Sequence, residues 1–141
     1  MGQVFTTELN ATIEDLNTIY NFLDGCLDRL KIDPSKAYDI QLAVAELVTN
    51  SLVHGYPDQR GWIGLVLDKD DSQIKVILRD HAPNFDPNTA SVPDPKLPLE
   101  KRHFGGYGIY LTRQVVESLT YQPIPQGGNE ITLIFNIPQS G

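Results

Sequence analysis

Between Asp33 and Gly55 the sequence carries two stripes at helical spacing that face opposite ways. Ala37, Ile40, Val44, Leu47 and Val48 recur at steps that line one side of a helix and form its core stripe. Glu46, Asn50 and His54 stand at i, i+4 and i+8 on the other side. Asp33 reads as the N-cap, with Pro34 in the first turn, where its missing N–H does no harm. Gly55 reads as a left-handed C-terminal cap. Any fold of this chain must therefore bury one face of this helix and hold a carboxylate, an amide and an imidazole rigidly on the other. A carboxylate that accepts a proton, beside an amide oxygen that can ligate magnesium, suits chemistry on a phosphate.

The remaining patterns surround that helix. Gln3 to Leu9 alternates weakly, as an edge strand does. Ile13, Leu16, Tyr20, Leu23, Leu27 and Leu30 predict an earlier helix with one narrow apolar stripe and Thr12 as its N-cap. Gly25 inside it is expected to let another helix pack closely. Trp62 to Leu67 and Ile74 to Leu78 predict two antiparallel strands, joined through the polar run 68–72. His81 to Phe104 holds Pro83, Pro87, Pro93, Pro95 and Pro98 and has no usable period; so long a connection is usually functional, and it is read as a lid over about 81–104. Ile109, Leu111, Thr112, Val115, Val116 and Leu119 predict a third helix. Strands near Thr120 to Gln122 and Glu130 to Ile137 follow, joined by the turn Gln126-Gly127-Gly128-Asn129. Helices and strands in this order predict an α+β chain, a two-layer α/β sandwich whose mixed, mainly antiparallel sheet carries helices on one face.

With 141 residues the chain is read as one domain over 1–141 that needs no metal or disulfide staple. A formal net charge of -7 and a pI near 4.7 argue against charge-driven binding to nucleic acid or anionic membrane, so a protein partner or a small ligand is expected. Cys26, the single cysteine, excludes an intrachain disulfide and a thiolate metal cluster. With no leader pattern and no apolar run near the ~20 residues that span a bilayer, the expected location is the cytoplasm.

Three motifs carry chemistry. The first is Glu46-Leu47-Val48-Thr49-Asn50-Ser51-Leu52-Val53-His54-Gly55. The second, Arg79-Asp80-His81-Ala82-Pro83-Asn84-Phe85-Asp86-Pro87, follows an apolar strand pattern. The third, Gly105-Gly106-Tyr107-Gly108-Ile109, opens a helix, so its backbone N–H groups can meet phosphate oxygens at the positive end of the dipole. In that order they resemble the N, G1 and G2 boxes of the ATPases that group gyrase, the heat-shock chaperone, histidine kinases and the mismatch-repair ATPase. The likeness runs from about Pro34 to Ile137. The short length, Phe85-Asp86-Pro87 and the run from Gly105 to Gln114 look most like the anti-sigma regulatory factors, which are serine/threonine protein kinases that also sequester sigma factors.

The resemblance implies the Bergerat-type ATP-binding fold with a flexible lid, ATP and Mg2+ as ligands, and a role for each matching residue. Glu46 would be the catalytic base, and Asn50 would ligate magnesium through its amide oxygen. His54 would either touch phosphate or ribose or cap its helix. Asp80 would accept a hydrogen bond from the exocyclic amine of adenine, with Ala82 and Asn84 standing where the family's commonest pattern has glycines. Alanine still admits a base, and asparagine tolerates the left-handed conformation. Gly105, Gly106, Tyr107, Gly108 and Ile109 would bind phosphate, Lys101 and Arg102 would close over it, and Thr132 would place a hydroxyl near adenine.

The reading that follows is a MgATP-dependent serine/threonine kinase that phosphorylates a STAS-type anti-anti-sigma protein and holds a sigma factor inactive. A homodimer is expected from the same resemblance. The rival reading is a nucleotide-gated regulator without kinase activity, for which Ala82 and Asn84 argue. A detached histidine kinase domain is disfavoured, because no helical hairpin with a phospho-acceptor histidine precedes the first motif.

Overall fold

The computed structural model describes residues 2–56, 59–89 and 106–137. Strand β1 (Gln3–Ala11) leads through a short 3-10 turn into helix α1 (Leu16–Arg29), followed by helix α2 (Pro34–Asn50). Strands β2 (Gly61–Lys69) and β3 (Gln73–Asp80), helix α3 (Gly106–Val115) and strands β4 (Ser118–Pro123) and β5 (Asn129–Asn136) complete it. The five strands form one sheet in the order β1-β2-β3-β5-β4. Every pairing is antiparallel, so the mixed sheet expected from the sequence is corrected to a wholly antiparallel one among the described residues. The cause is that β2–β3 and β4–β5 each enter as a hairpin, and β5 then pairs antiparallel with β3. β1 pairs with β2 alone, which makes it the expected edge strand.

Alternation along the strands decides where the core sits. Ile63, Leu65, Leu67, Ile74, Val76, Leu78, Ile131, Leu133 and Phe135 all turn to one face and are buried there against Ile19, Leu23, Leu27, Ile40, Val44, Leu47 and Val48 of the helices. The core stripe read for α2 is thus found, with Ala37 half-buried at its margin. At Gly25 nothing lies within 4 Å of where a Cβ would stand, so this glycine does not serve close helix packing.

The caps explain the helix limits. Thr12 and Asp15 form a reciprocal capping box at the 3-10 turn Ile13–Asp15, and the Asp33 carboxylate accepts from the Ser35 N–H at 3.1 Å. α1 ends in a Schellman motif, with Ile32 N–H donating to the Leu27 carbonyl and Lys31 N–H to that of Asp28, both at 3.1 Å. α3 stops at Val115 because Leu119, expected in the helix, is already paired with Leu133 in the sheet.

Candidate active site

The end of α2 is where local sequence and tertiary structure part company. After Asn50 the helix continues as a single π turn, Ser51–Gly55. Such a turn holds one residue more than an α turn and is frequent at functional sites. Glu46 and Asn50 stay half-buried on the last α turns, whereas His54 lies in the wider turn, off the straight stripe, and is exposed. Gly55 is not a left-handed cap: among the described residues the glycines with positive φ are Gly127 and Gly128. Its smallness has another use. A Cβ built on Gly55 would stand 2.5 Å from the Ala82 Cβ, so the π turn meets the segment after β3 where only hydrogen fits.

Ser51, three residues after Val48 and four after Leu47, continues the buried stripe of α2. Its hydroxyl donates to Asp80 Oδ2 at 2.6 Å, a buried bond that ties the end of α2 to the end of β3. Asp80 is 3% exposed. Its Oδ1 accepts from the Ala82 N–H at 3.1 Å and from Asn129 Nδ2 at 2.8 Å. Asn129 sits opposite Asp80 in the β3–β5 pairing and is itself buried. Gly128, at φ 134, precedes it; a Cβ there would lie 2.4 Å from the Asp80 carbonyl oxygen, so the close approach of the β4–β5 turn to β3 requires glycine. Asn84 keeps a negative φ and is exposed; its amide donates to the Gly128 carbonyl.

Two tyrosines, buried Tyr56 and half-buried Tyr121, brace this end of the sheet. The Tyr56 hydroxyl donates to the Trp62 carbonyl at 3.0 Å and accepts from the His81 N–H. The Tyr121 hydroxyl donates to Asn129 Oδ1 at 2.8 Å. Burial pushes both phenols above their ordinary range, and for Tyr121 the nearby Asp86 adds to the shift, so both stay protonated donors near neutrality. On the opposite face of the sheet the His81 ring stacks on Trp62 with centroids 4.3 Å apart.

Not every expected site residue arrives here. Thr132 does not: it pairs with Ile77 and Thr120, and the strand alternation turns it to the face away from the helices and from Asp80. The group that the last strand does bring to Asp80 is Asn129, three residues earlier. Gly106, Tyr107, Gly108 and Ile109 form the first turn of α3, so their backbone N–H groups have no acceptor within the helix. The Ile109 side chain is 3% exposed and belongs to the core, which leaves its backbone alone to face a ligand. Lys101, Arg102 and Gly105, with most of the expected lid, lie outside the described residues. Ser51 and Asn129 were missed by sequence reasoning. Ser51 was signalled only as a polar residue on the core stripe, three after Val48 and four after Leu47; Asn129 was signalled only by following the Gly-Gly turn.

These groups suit a nucleotide: a buried acceptor for a base amine at Asp80, orphan N–H groups for phosphate at the start of α3, and the half-buried carboxylate of Glu46, which precedes both in sequence. Among the described residues no cluster of three or more His, Cys, Asp or Glu could hold a cation by itself. Asn50 offers one amide oxygen, which fits Mg2+, an ion that completes its shell with phosphate and water oxygens.

Residues 9–135 match the family described as Histidine kinase-like ATPase domain. The chain belongs to that family. Serine-protein kinase RsbW of Staphylococcus epidermidis is 30% identical over 118 residues, covering 79% of this chain and 74% of its own. Serine-protein kinase RsbW of Oceanobacillus iheyensis is 26% identical over 102 residues, 69% of this chain but 65% of its own length. Among solved structures, the RsbU and RsbW domains of Rv1364c from Mycobacterium tuberculosis superpose with a TM-score of 0.68 at 20% identity, covering 97% of this chain and 34% of that one. The mycobacterial sensor histidine kinase MprB superposes with a TM-score of 0.55 at 15% identity over 96% of this chain and 99% of its own. The resemblance to this ATPase family and to its anti-sigma kinase branch, read first from three motifs, is thereby shown, as is the fold. No described helix is long and apolar enough to cross a membrane.

Proposed function

We propose that this chain is an ATP-dependent serine/threonine protein kinase of the anti-sigma type, which phosphorylates a STAS-type anti-anti-sigma protein and sequesters a sigma factor. One observation carries the reading: the helix that presents half-exposed Glu46 is bonded through Ser51 to Asp80, so a proton acceptor and a base-recognising carboxylate belong to one rigid unit. The RsbW relatives support the same activity.

In this reading Asp80 receives the exocyclic amine of adenine and the first turn of α3 receives phosphate oxygens. Lys101 and Arg102 close over the terminal phosphates, and His54 contacts phosphate or ribose. Asn50 helps to hold Mg2+, which supplies charge neutralisation on the transferring phosphoryl group. Glu46 orients the hydroxyl of the incoming serine or threonine and takes its proton. The rival reading, a nucleotide gate without catalysis, rests on Ala82 and Asn84; the fit of Ala82 against Gly55 and the bond from the Asn84 amide to the Gly128 carbonyl support a built adenine site, and transfer of phosphate separates the two readings.

The test is transfer of label from γ-labelled ATP to a STAS-domain protein, with Glu46→Ala beside the natural chain. Acid-stable phosphoserine or phosphothreonine should form, and Glu46→Ala should lower transfer by ~10²-fold or more while ATP still binds. Equal transfer by the variant removes Glu46 from the mechanism; ATP binding with no labelled partner restores the gate; an acid-labile product indicates a phosphohistidine enzyme.

A further inference from the structure

The Asn129 amide is fully used inside the protein. One face of its Nδ2 meets Asp80 Oδ1 at 2.8 Å, and the other meets the carbonyls of Pro83 at 3.1 Å and Ala82 at 3.5 Å. Its Oδ1 accepts from the Phe85 N–H and the Tyr121 hydroxyl, each at 2.8 Å. A flipped amide would set its oxygen against three acceptors and its NH2 against two donors, so the orientation is determined. At 5% exposure, with both hydrogens and both lone pairs engaged, Asn129 has nothing left with which to bind a ligand.

Its effect falls on Asp80. An ionised carboxylate offers about four acceptor positions. Asn129 and the Ala82 N–H take those of Oδ1, and Ser51 takes one of Oδ2. Among the described residues a single acceptor remains. A lone acceptor with no donor beside it matches an exocyclic amine and opposes a carbonyl oxygen at the same place. Without Asn129 the carboxyl torsion, which is broad and two-fold, would no longer be held, and Oδ1 would regain an open position.

We propose that Asn129 is a positioning residue for nucleobase selection: it locks the Asp80 carboxylate so that one acceptor faces the base, and it pins residues 82–85 to the sheet around that acceptor. This rests on the nucleotide reading above. It assigns the discrimination between 6-amino and 6-oxo purines to a residue that touches neither.

The experiment is calorimetric titration of the full chain with MgATP and with MgITP, which differ at the 6-position, for the natural protein and for Asn129→Ala, Asn129→Ser and Tyr121→Phe. Thermal melts establish that each is folded. The natural chain should prefer ATP. Asn129→Ala should lose ~10-fold or more in ATP affinity, the scale of a lost buried hydrogen bond to a charged group, with ITP affinity little changed, so the preference collapses. Asn129→Ser, which keeps one donor for Asp80, should recover part of the preference. Tyr121→Phe removes a donor to Asn129 but leaves the Asp80 bond, and should keep the preference within about threefold of the natural chain. Should Asn129→Ala fail to fold, the Ser variant decides. Folded Asn129 variants with an unchanged ATP-to-ITP ratio overturn the role of Asn129 and leave the nucleotide reading standing. A folded natural chain that binds neither nucleotide overturns the nucleotide reading, and this inference with it.

Discussion

Gly55 and Ala82 share a space that admits one methyl group. In this chain the methyl is on the β3 side, at Ala82, and the π turn supplies the hydrogen. The expected outcome of Gly55→Ala is therefore a clash that costs about 1–3 kcal/mol, the usual scale of overpacking. Ala82→Gly in the same chain should return most of it. Urea unfolding of the two single variants and the double variant measures the coupling; additive losses would show that the two positions are independent. Because Ser51 and Asp80 lie on the same two segments, ATP affinity should follow the same pattern of loss and recovery.

At the scale of the element, the helix ends respond to backbone strain and to acid. Lys31, at φ 56, holds the left-handed position of the Schellman motif that closes α1, where glycine is the usual occupant. Lys31→Gly should raise stability by ~1 kcal/mol, the steric cost of a Cβ in that region less the entropy of a free glycine. A melt shifted upward by about 2–6 °C would agree, and an unchanged or lower midpoint would not. Acid acts on three aspartates: Asp33, held below the ordinary 3.8 chiefly by the Ser35 hydroxyl, Asp15, by the Thr12 N–H, and Asp70, by the Ser72 N–H. A carboxyl whose pKa is lower in the folded state binds protons less readily there than in the unfolded chain. Its contribution is thus present above about pH 4 and lost as pH falls through the lowered folded values. The melting temperature should stay level from pH 7 to about 5 and drop below 4, and Asp33→Asn should lower it at neutral pH while flattening the acid limb.

For the molecule as a whole, Cys26 reports on the core. It is 4% exposed, and burial pushes its thiol above the ordinary 9.0, so the reactive thiolate is scarce in the folded state. A thiol reagent in excess should label it only through unfolding, with a rate that rises with denaturant. Fast labelling of the folded protein would show that the α1 side of the core opens locally.

How much of this was legible beforehand follows the range of the interactions. Periodicity along a few turns placed α1, α2, both hairpins and the buried stripe of α2, because each rests on neighbours close in sequence. Glu46, Asn50, Asp80 and the α3 glycines are proposed on the same footing, as short motifs on predicted elements. Strand pairing decided the rest. The alternation of Ile131, Leu133 and Phe135 in its own strand turns Thr132 away, but which residue meets Asp80 depends on the register of β5 against β3 and cannot be counted from one strand alone. The π turn that takes His54 off its stripe sits where α2 must meet Asp80 and Ala82, in contacts made by residues about thirty positions apart. The sequence by itself determined the elements and their chemistry. Tertiary structure alone decided which polar side chains share a buried carboxylate.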